Sequence, residues 1–112
     1  MKYDLIIRPE ARTDLLDAFH WYQEQRPGLG FDFKLCADEV ISKIQRNPLI
    51  HKVIGDGIRR SVTRRFPFGV FYLVENERSI ILAVLHARRD PMKWKNEYNN
   101  NRMRSDAAEP RR

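Results

Sequence analysis

Residues 68–86 read FGVFYLVENERSIILAVLH, and this stretch decides the fold. Two apolar runs, 70–74 and 80–85, flank a short polar connection. Such runs at such a spacing predict an antiparallel hairpin of two strands, 68–75 and 79–86. Because the runs are apolar on both faces, we expect these strands in the middle of a sheet that is covered, at least in part, on both sides.

Two helices are expected before this hairpin, where the apolar period is 3.6 rather than two. A first strand at 3–8 leads into Pro9, whose fixed φ suits the first turn of a helix. The turn at 27–30 (Pro-Gly-Leu-Gly) ends the first helix, and Asn47-Pro48 ends the second. So short a turn makes the helices antiparallel, as a helical hairpin. The apolar stripes are Ala11, Leu15, Ala18, Phe19 and Tyr22 on the first helix, and Phe33, Cys36, Ala37, Val40, Ile41 and Ile44 on the second.

A strand at 58–64 and a short helix at 92–98 complete the predicted order, β-α-α-β-β-β. This order places the helical hairpin on one face of a four-stranded, mainly antiparallel sheet, an α+β fold. Residues 1–98 are expected to form one domain. Residues 99–112, with three consecutive asparagines and four arginines, are expected to be a disordered basic tail.

Composition and charge narrow the functional classes. The chain has 112 residues and a net charge of +6, divided as −1 over residues 1–50 (7 basic, 8 acidic) and +7 over residues 51–112 (14 basic, 7 acidic). This asymmetry favours an acidic protein or a polyanion as partner of the second half. A single cysteine, Cys36, indicates a reducing compartment, the cytoplasm, and no apolar run suggests a signal peptide or membrane contact. Since no metal-ligand spacing or phosphate loop is present, no metal or cofactor is expected.

Four arginines cluster in the predicted strand 58–64 and just beyond it: Arg59, Arg60, Arg64 and Arg65. Alternation puts Arg59 and Arg65 on one face, and Arg60 and Arg64 on the other with Ile58, Val62 and Phe66. Guanidinium groups bind phosphates or carboxylates bidentately, so the cluster is a candidate binding site. The alternative is an edge strand whose charges discourage aggregation. Four arginines with no interleaved acid favour binding.

A second group follows the last strand: His86, Arg88 and Arg89, ahead of Asp90-Pro91. The end of a strand holds side chains rigidly while leaving them open to solvent. His86 is either a general acid or base or a structural hydrogen-bonding group. Trp94 is expected to pack the terminal helix onto the sheet. The aromatic residues of the first helix and of 66–68 are interpreted as core, with base stacking as the alternative.

Together these segments resemble the RelE/ParE toxin superfamily of type II toxin–antitoxin systems. The resemblance rests on the turn at 27–30, on 44–48 (Ile-Gln-Arg-Asn-Pro), on Ile58-Arg59-Arg60, and above all on 65–72 and 83–91 with Trp94. It covers about residues 3–98. The resemblance implies a β-α-α-β-β-β fold, a cognate acidic antitoxin, and one of two activities.

RelE-like members cut mRNA on the ribosome without a metal, whereas ParE-like members poison DNA gyrase and cut nothing themselves. For the first activity the resemblance implies lysines and arginines on the phosphate and a tyrosine in the last helix. In this sequence Arg59, Arg60, Arg64, Arg88 and Arg89 are the candidate phosphate ligands, and His86 or Tyr98 is the candidate acid or base. However, Trp94, which cannot shuttle a proton, stands where a catalytic tyrosine is expected, and the central strands carry no lysine. These departures favour the ParE-like activity, with the mRNA endonuclease as alternative. A degenerate toxin that keeps only its antitoxin surface is the third hypothesis.

Overall fold

The computed structural model describes residues 3–63 and 65–86. Its elements are β1 (Asp4–Ile7), α1 (Pro9–Gln25), α2 (Leu29–Arg46), a 3₁₀ turn (Pro48–Ile50), β2 (Val53–Gly55), β3 (Ile58–Val62), β4 (Phe68–Glu75) and β5 (Arg78–His86). The α+β class and the helical hairpin are therefore confirmed. Several predictions lie outside the described residues: the helix at 92–98, the tail at 99–112, and Arg64, Arg88, Arg89, Trp94 and Tyr98.

The strands form one mixed sheet in the order β1-β5-β4-β3-β2. β4 and β5 lie in its interior, as their two-sided apolar pattern predicted. β1 lies parallel to β5, in a register that runs from Asp4 opposite Arg78 to Ile7 opposite Ile81. The other neighbours are antiparallel. One face of this sheet carries the two helices.

The prediction of four strands was wrong, because β2 adds a fifth at the edge beside β3. Asp56 and Gly57 connect these two strands with φ of 52° and 77°. Asp-Gly is a dipeptide that favours this left-handed turn. β2 was not predicted, because three residues are too few to show an alternation of apolar and polar side chains. β3 also ends at Val62, since the amide of Thr63 donates to the carbonyl of Phe68 (2.9 Å) and closes a turn.

The main core lies between the helices and the sheet. α2 buries the predicted stripe (Phe33, Ala37, Val40, Ile41 and Ile44), while Cys36 is only half-buried. Aromatic rings of α1, α2, the segment before β4 and β4 itself pack against one another, as edge-to-face or stacked pairs with centroids 4.8–6.0 Å apart: Tyr22, Phe33, Phe66 and Phe68. These residues are therefore core. Phe66 was predicted on the opposite face, but the turn after Thr63 breaks the strand alternation and returns its ring to the helix side.

The turn between the helices is held by one side chain. Gln23 Oε1 accepts hydrogen bonds from the amides of Gly28 and Gly30, both at 2.9 Å. Gly30 also lies against α1, where a Cβ atom would come within 2.5 Å of the Phe19 carbonyl oxygen. The helices thus cross closely at Gly30, and this contact fixes the geometry of the hairpin.

A second cluster of buried apolar residues occupies the sheet face away from the helices: Ile58, Phe71, Leu82, Ala83 and Leu85. Neither helix of the described residues is long and apolar enough to cross a membrane. Within 3–63 and 65–86, the His, Cys, Asp and Glu side chains form no group of three that could hold a metal ion.

Candidate functional site

The described arginines of the predicted cluster point in three directions. Arg59, paired with Tyr72, lies on the helix side of the sheet near the β2 edge. Its Nη1 donates to the carbonyls of Leu49 (3.3 Å) and His51. Arg59 therefore ties the segment before β2 to the sheet, and part of its hydrogen-bonding capacity is already used.

Tyr72 completes a buried polar network at this edge. Its hydroxyl donates to the carbonyl of Pro48 (2.5 Å) and lies 3.1 Å from His51 Nδ1. Because the one hydroxyl proton goes to Pro48, His51 Nδ1 is the donor of the second bond. Burial raises the pKa of Tyr72 to about 12, against the opposing effect of Arg59. The phenol is thus a structural donor at neutral pH.

His51 is the second titratable group of this network. Burial, assisted by the charge of Arg59, lowers the pKa of His51 below its usual 6.5. The imidazole is therefore neutral at pH 7, with its proton on Nδ1 and its lone pair on Nε2. A neutral imidazole can act as a general base, a role that the sequence had assigned only to His86 and Tyr98.

Arg60 and Arg65 lie elsewhere. Arg60 is exposed on the face away from the helices, with its aliphatic stem beside Gly69, where a Cβ atom would lie 3.2 Å from Arg60 Cδ. Arg65 forms an ion pair with Asp32 of α2 (3.3 Å), and its guanidinium lies 5.2 Å from the Phe66 ring centroid. Since the pair is exposed, it contributes about 0–1 kcal/mol to stability. Among the described residues, the cluster presents separate cations rather than one phosphate cradle.

His86 is half-buried at the end of β5, with its ring 5.3 Å from that of Phe68 in an edge-to-face contact. It pairs with Phe68, whereas Arg59 pairs with Tyr72, four residues further along β4. At about 3.4 Å per residue, this offset is about 14 Å along the sheet. The structure therefore does not bring His86 and Arg59 together.

Comparison with family models decides the family. A model described as the ParE toxin of the type II toxin–antitoxin system parDE matches residues 5–91. The chain belongs to this family. Comparison of the ParE-family chain with curated protein sequences returned no match.

Solved structures share the fold of this ParE-family chain. A chain of the chromosomal ParDE system from P. aeruginosa is 18% identical with a TM-score of 0.69, over 76% of this chain and 96% of that one. A mutant of the E. coli toxin RelE in the free state is 15% identical with a TM-score of 0.65, over 90% and 98%. A chain of the toxin–antitoxin complex RelBE2 from Mycobacterium tuberculosis is 20% identical with a TM-score of 0.53, over 77% and 99%. At such identities, the likeness shows the fold.

The helical hairpin of this ParE-family chain exposes apolar side chains on its outer side. Leu16, Phe31 and Leu35 are 56%, 56% and 69% exposed. Phe31 and Leu35 are one turn apart on α2. The ring centroids of Phe31 and Phe19 are 4.9 Å apart. Phe19 lies on the same side of α1 as Leu16. We call these four residues the hairpin patch. An apolar cluster of this kind on a protein surface marks an interaction site.

Sequence reasoning missed the hairpin patch and the network around His51. The hairpin patch could have been found in the sequence, since Leu16, Phe31 and Leu35 are apolar residues outside the predicted buried stripes. The network around His51 could not, because Tyr72 and His51 are 21 residues apart and are brought together by the sheet register.

Proposed function

We propose that this ParE-family chain arrests growth by binding and poisoning DNA gyrase in the cytoplasm, and that a cognate acidic antitoxin neutralises it. The observation that carries the proposal is the dispersal of those cationic and titratable groups that the structure describes, within 3–63 and 65–86. A metal-free nuclease needs an acid, a base and phosphate ligands within hydrogen-bond reach of one nucleotide. Arg59 and His86 are offset along the sheet by about 14 Å, and Arg60 lies on the other face.

The substitution at the expected catalytic tyrosine supports the same activity. Trp94 stands at that position and offers an indole N–H donor but no titratable proton. A binding toxin needs only a complementary surface, which dispersed arginines and apolar side chains supply well. The mRNA endonuclease is the second candidate, and it is favoured by the neutral imidazole of His51, whose pKa is lowered and whose Nδ1 is hydrogen-bonded to Tyr72.

The decisive experiment is a paired assay with the purified chain. We expect it to inhibit supercoiling by gyrase and to stabilise cleaved DNA, while ribosome-bound mRNA stays intact in a translation extract. Cleavage of mRNA at discrete sites, abolished by His51→Gln or His86→Ala, would instead establish the nuclease. Inactivity in both assays, together with no growth arrest on induction, would point to a degenerate toxin.

Antitoxin binding is proposed for the hairpin patch. Two of the similar solved structures are described as a ParDE system and a RelBE2 complex, which supports a protein partner for this chain as well. An amphipathic helix of the antitoxin would cover Leu16, Phe31 and Leu35 with its apolar face. The chain should be co-expressed with the product of the neighbouring reading frame.

Leu35→Glu should abolish rescue of growth by that product, because it places a charge in an apolar interface. Gln25→Glu, which adds the same charge at an exposed site outside the patch, is the matched control and should leave rescue unchanged. Equal rescue of both variants would place the antitoxin elsewhere.

A further inference from the structure

The outer edge of the sheet carries exposed apolar side chains. β2 is the last strand, and among the described residues its backbone pairs only with β3. Four apolar side chains of β2 and of the turn before it are 54%, 67%, 50% and 38% exposed: Leu49, Ile50, Val53 and Ile54. We call these four residues the edge patch. Proteins protect an apolar sheet edge from uncontrolled pairing by covering it with a helix or a loop.

The edge patch and the hairpin patch lie on separate parts of the molecule. Leu35 is 11 residues (46 − 35) before Arg46, the last residue of α2, which is about 16.5 Å along the helix axis. The edge patch begins beyond that end of the helix, at Leu49. Its turn is held by hydrogen bonds from Tyr72 and Arg59 to backbone carbonyls. One copy of the chain can therefore present both patches at the same time, to two different neighbours.

Charge decides which of these surfaces can meet. Residues 46–60, which contain the edge patch, carry 4 basic residues and 1 acidic residue, a net of +3. Residues 9–45, which contain the helical hairpin, carry 4 basic and 7 acidic residues, a net of −3. Two edges repel each other and two hairpins repel each other, whereas an edge and a hairpin attract. Contact between copies of this chain is therefore favoured for the unlike pair.

Acidic side chains border the hairpin patch itself. Asp38 and Glu39 lie about one turn beyond Leu35 on α2, and both are exposed. Their ion pairs with lysines of the same helix (2.9 and 4.0 Å) are also exposed, and such pairs are weak. Near the edge patch, Arg46 and Lys52 are exposed cations. The two carboxylates can therefore exchange their lysines for cations of a neighbouring copy.

We propose that the chain associates with itself head to tail, with the helical hairpin of one copy covering the edge patch of the next. The apolar side chains of the two patches pack together, and Asp38 and Glu39 face Arg46 and Lys52 of the neighbour. Because the two surfaces differ, the contact is heterologous and extends beyond a dimer unless the rotation between copies closes a ring. The inference goes beyond the proposed function, and an antitoxin helix on the hairpin patch would exclude the contact.

Sedimentation of the purified full chain, alone and as paired variants, tests the inference. We expect the mean mass of the parent chain to rise above that of the monomer as concentration increases. Leu35→Lys damages only the hairpin side of the contact and Ile50→Glu only the edge side, since each introduces a charge that the opposite surface repels. Each variant alone should be monomeric. Their equimolar mixture should form a one-to-one dimer through the intact edge of the first and the intact hairpin of the second.

Two controls accompany the mixing experiment. Val62→Glu changes a valine that is 51% exposed but lies outside both patches, so it should associate like the parent chain. Salt raised from about 0.1 M to about 1 M shortens the Debye length from about 10 Å to about 3 Å and should weaken the association about tenfold. Equal melting temperatures of the variants and the parent chain confirm that they are folded.

Four results would overturn the inference. The first is a parent chain that stays monomeric at every concentration, and the second is a mixture of the two variants that stays monomeric. Dimers of Leu35→Lys alone would mean that two edges pair, and dimers of Ile50→Glu alone would mean that two hairpins pair. Because the readout is mass and not toxicity, failure of the gyrase assay leaves this test intact.

Discussion

Single side chains form hydrogen bonds with backbone amide and carbonyl groups at the ends of strand pairing and in the turn before β2. β1 ends at Ile7, opposite Ile81, so β5 continues beyond its parallel neighbour. Asp14 of α1 fills this place, with its Oδ2 accepting from the amide of Val84 at 3.0 Å. Tyr72 does the same for the Pro48 carbonyl. A buried amide or carbonyl without a hydrogen-bond partner lowers the stability of the fold by its full desolvation cost. Loss of either side chain should therefore lower the free energy of unfolding.

Asp14→Ala tests this role of a helix side chain in the sheet. Removal of the carboxylate leaves the Val84 amide unsatisfied, which should lower the free energy of unfolding by about 1–3 kcal/mol. Asp14→Asn keeps an oxygen acceptor in nearly the same place and should recover much of the loss. Chemical denaturation of both variants provides the measurement. Identical unfolding free energies for the alanine and asparagine variants would contradict the prediction.

His51 should make stability dependent on pH. Burial and Arg59 lower its pKa below 6.5 in the folded chain, so the unfolded chain takes up a proton at higher pH than the folded one. The folded state therefore loses stability as pH falls below about 6.5, towards the lowered pKa. In His51→Gln this contribution disappears, and the melting temperature should fall less between pH 7.5 and pH 5. Parallel pH profiles for the parent and the variant would refute the assignment.

At the scale of elements, the close contact between the two helices explains the residue at position 30 better than helix propensity does. Gly30 is the second residue of α2, and glycine is a poor helix former. Its place is explained by α1, whose Phe19 carbonyl oxygen would be 2.5 Å from an added Cβ atom. Because that atom belongs to the backbone, it cannot move aside cheaply.

Helix propensity and the close helix crossing predict opposite changes in the free energy of unfolding for Gly30→Ala. Helix propensity alone would raise the free energy of unfolding by at most about 1 kcal/mol, the value for a helix interior, since Gly30 is in the first turn of α2. The close crossing should instead lower it by about 1–3 kcal/mol, because the helices must shift apart. Thermal melts of the variant beside the parent chain give the answer. A higher melting temperature would mean that the hairpin adjusts without strain.

Elements with a long apolar pattern were predicted well, and short or irregular ones were not. The two helices follow from an apolar period of 3.6 residues, and β4 and β5 follow from the continuous apolar runs at 70–74 and 80–85. β2, with three residues, has no measurable period, and its pairing depends on the positive φ values of Asp56 and Gly57. The alternation of Arg59 and Arg60 was correct. Their separation from Arg65 and His86 was not predictable, because it depends on register and on the turn after Thr63.

At the scale of the whole molecule, charge and apolar surface are distributed over different sides. The helical hairpin (residues 9–45, with 4 basic and 7 acidic residues) is acidic and carries the hairpin patch, whereas residues 46–60, with 4 basic residues and 1 acidic residue, are basic. Toxicity by binding should therefore depend on arginines and not on proton carriers. Arg88 and Arg89 remain predicted target or antitoxin contacts, since the sequence places them directly after β5.

Growth arrest on induction should distinguish these groups. His86→Ala and Tyr98→Phe should leave toxicity nearly intact, whereas Arg88→Ala or Arg89→Ala should weaken it through lost charge-assisted contacts. Loss of a true general acid or base would lower the rate by roughly 10²–10⁴. Toxicity that vanishes in the His86 or Tyr98 variant, with mRNA cleavage by the parent chain, would contradict the binding mechanism.

We expect the predicted helix at 92–98 to stabilise the fold and the predicted tail at 99–112 not to do so. Trp94 is predicted to pack a terminal helix onto the sheet, so Trp94→Ala should cost about 3 kcal/mol. Deletion of residues 99–112 should cost almost nothing, because that segment has few apolar residues to bury. Thermal melts of both variants provide the comparison, and an unfolded deletion variant would show that the tail is docked.

The parallel pairing of β1 with β5 has a consequence for synthesis of the chain. Asp4 meets Arg78, so the partner of β1 is made 74 residues later (78 − 4). At the usual 5–20 residues per second, the ribosome needs about 4–15 s to supply it. During this interval the helical hairpin can form from local contacts, while β1 has no strand beside it. A nascent chain therefore completes its sheet only when β5 has left the ribosome, and a chain truncated before β5 lacks the strand that joins β1 to β4.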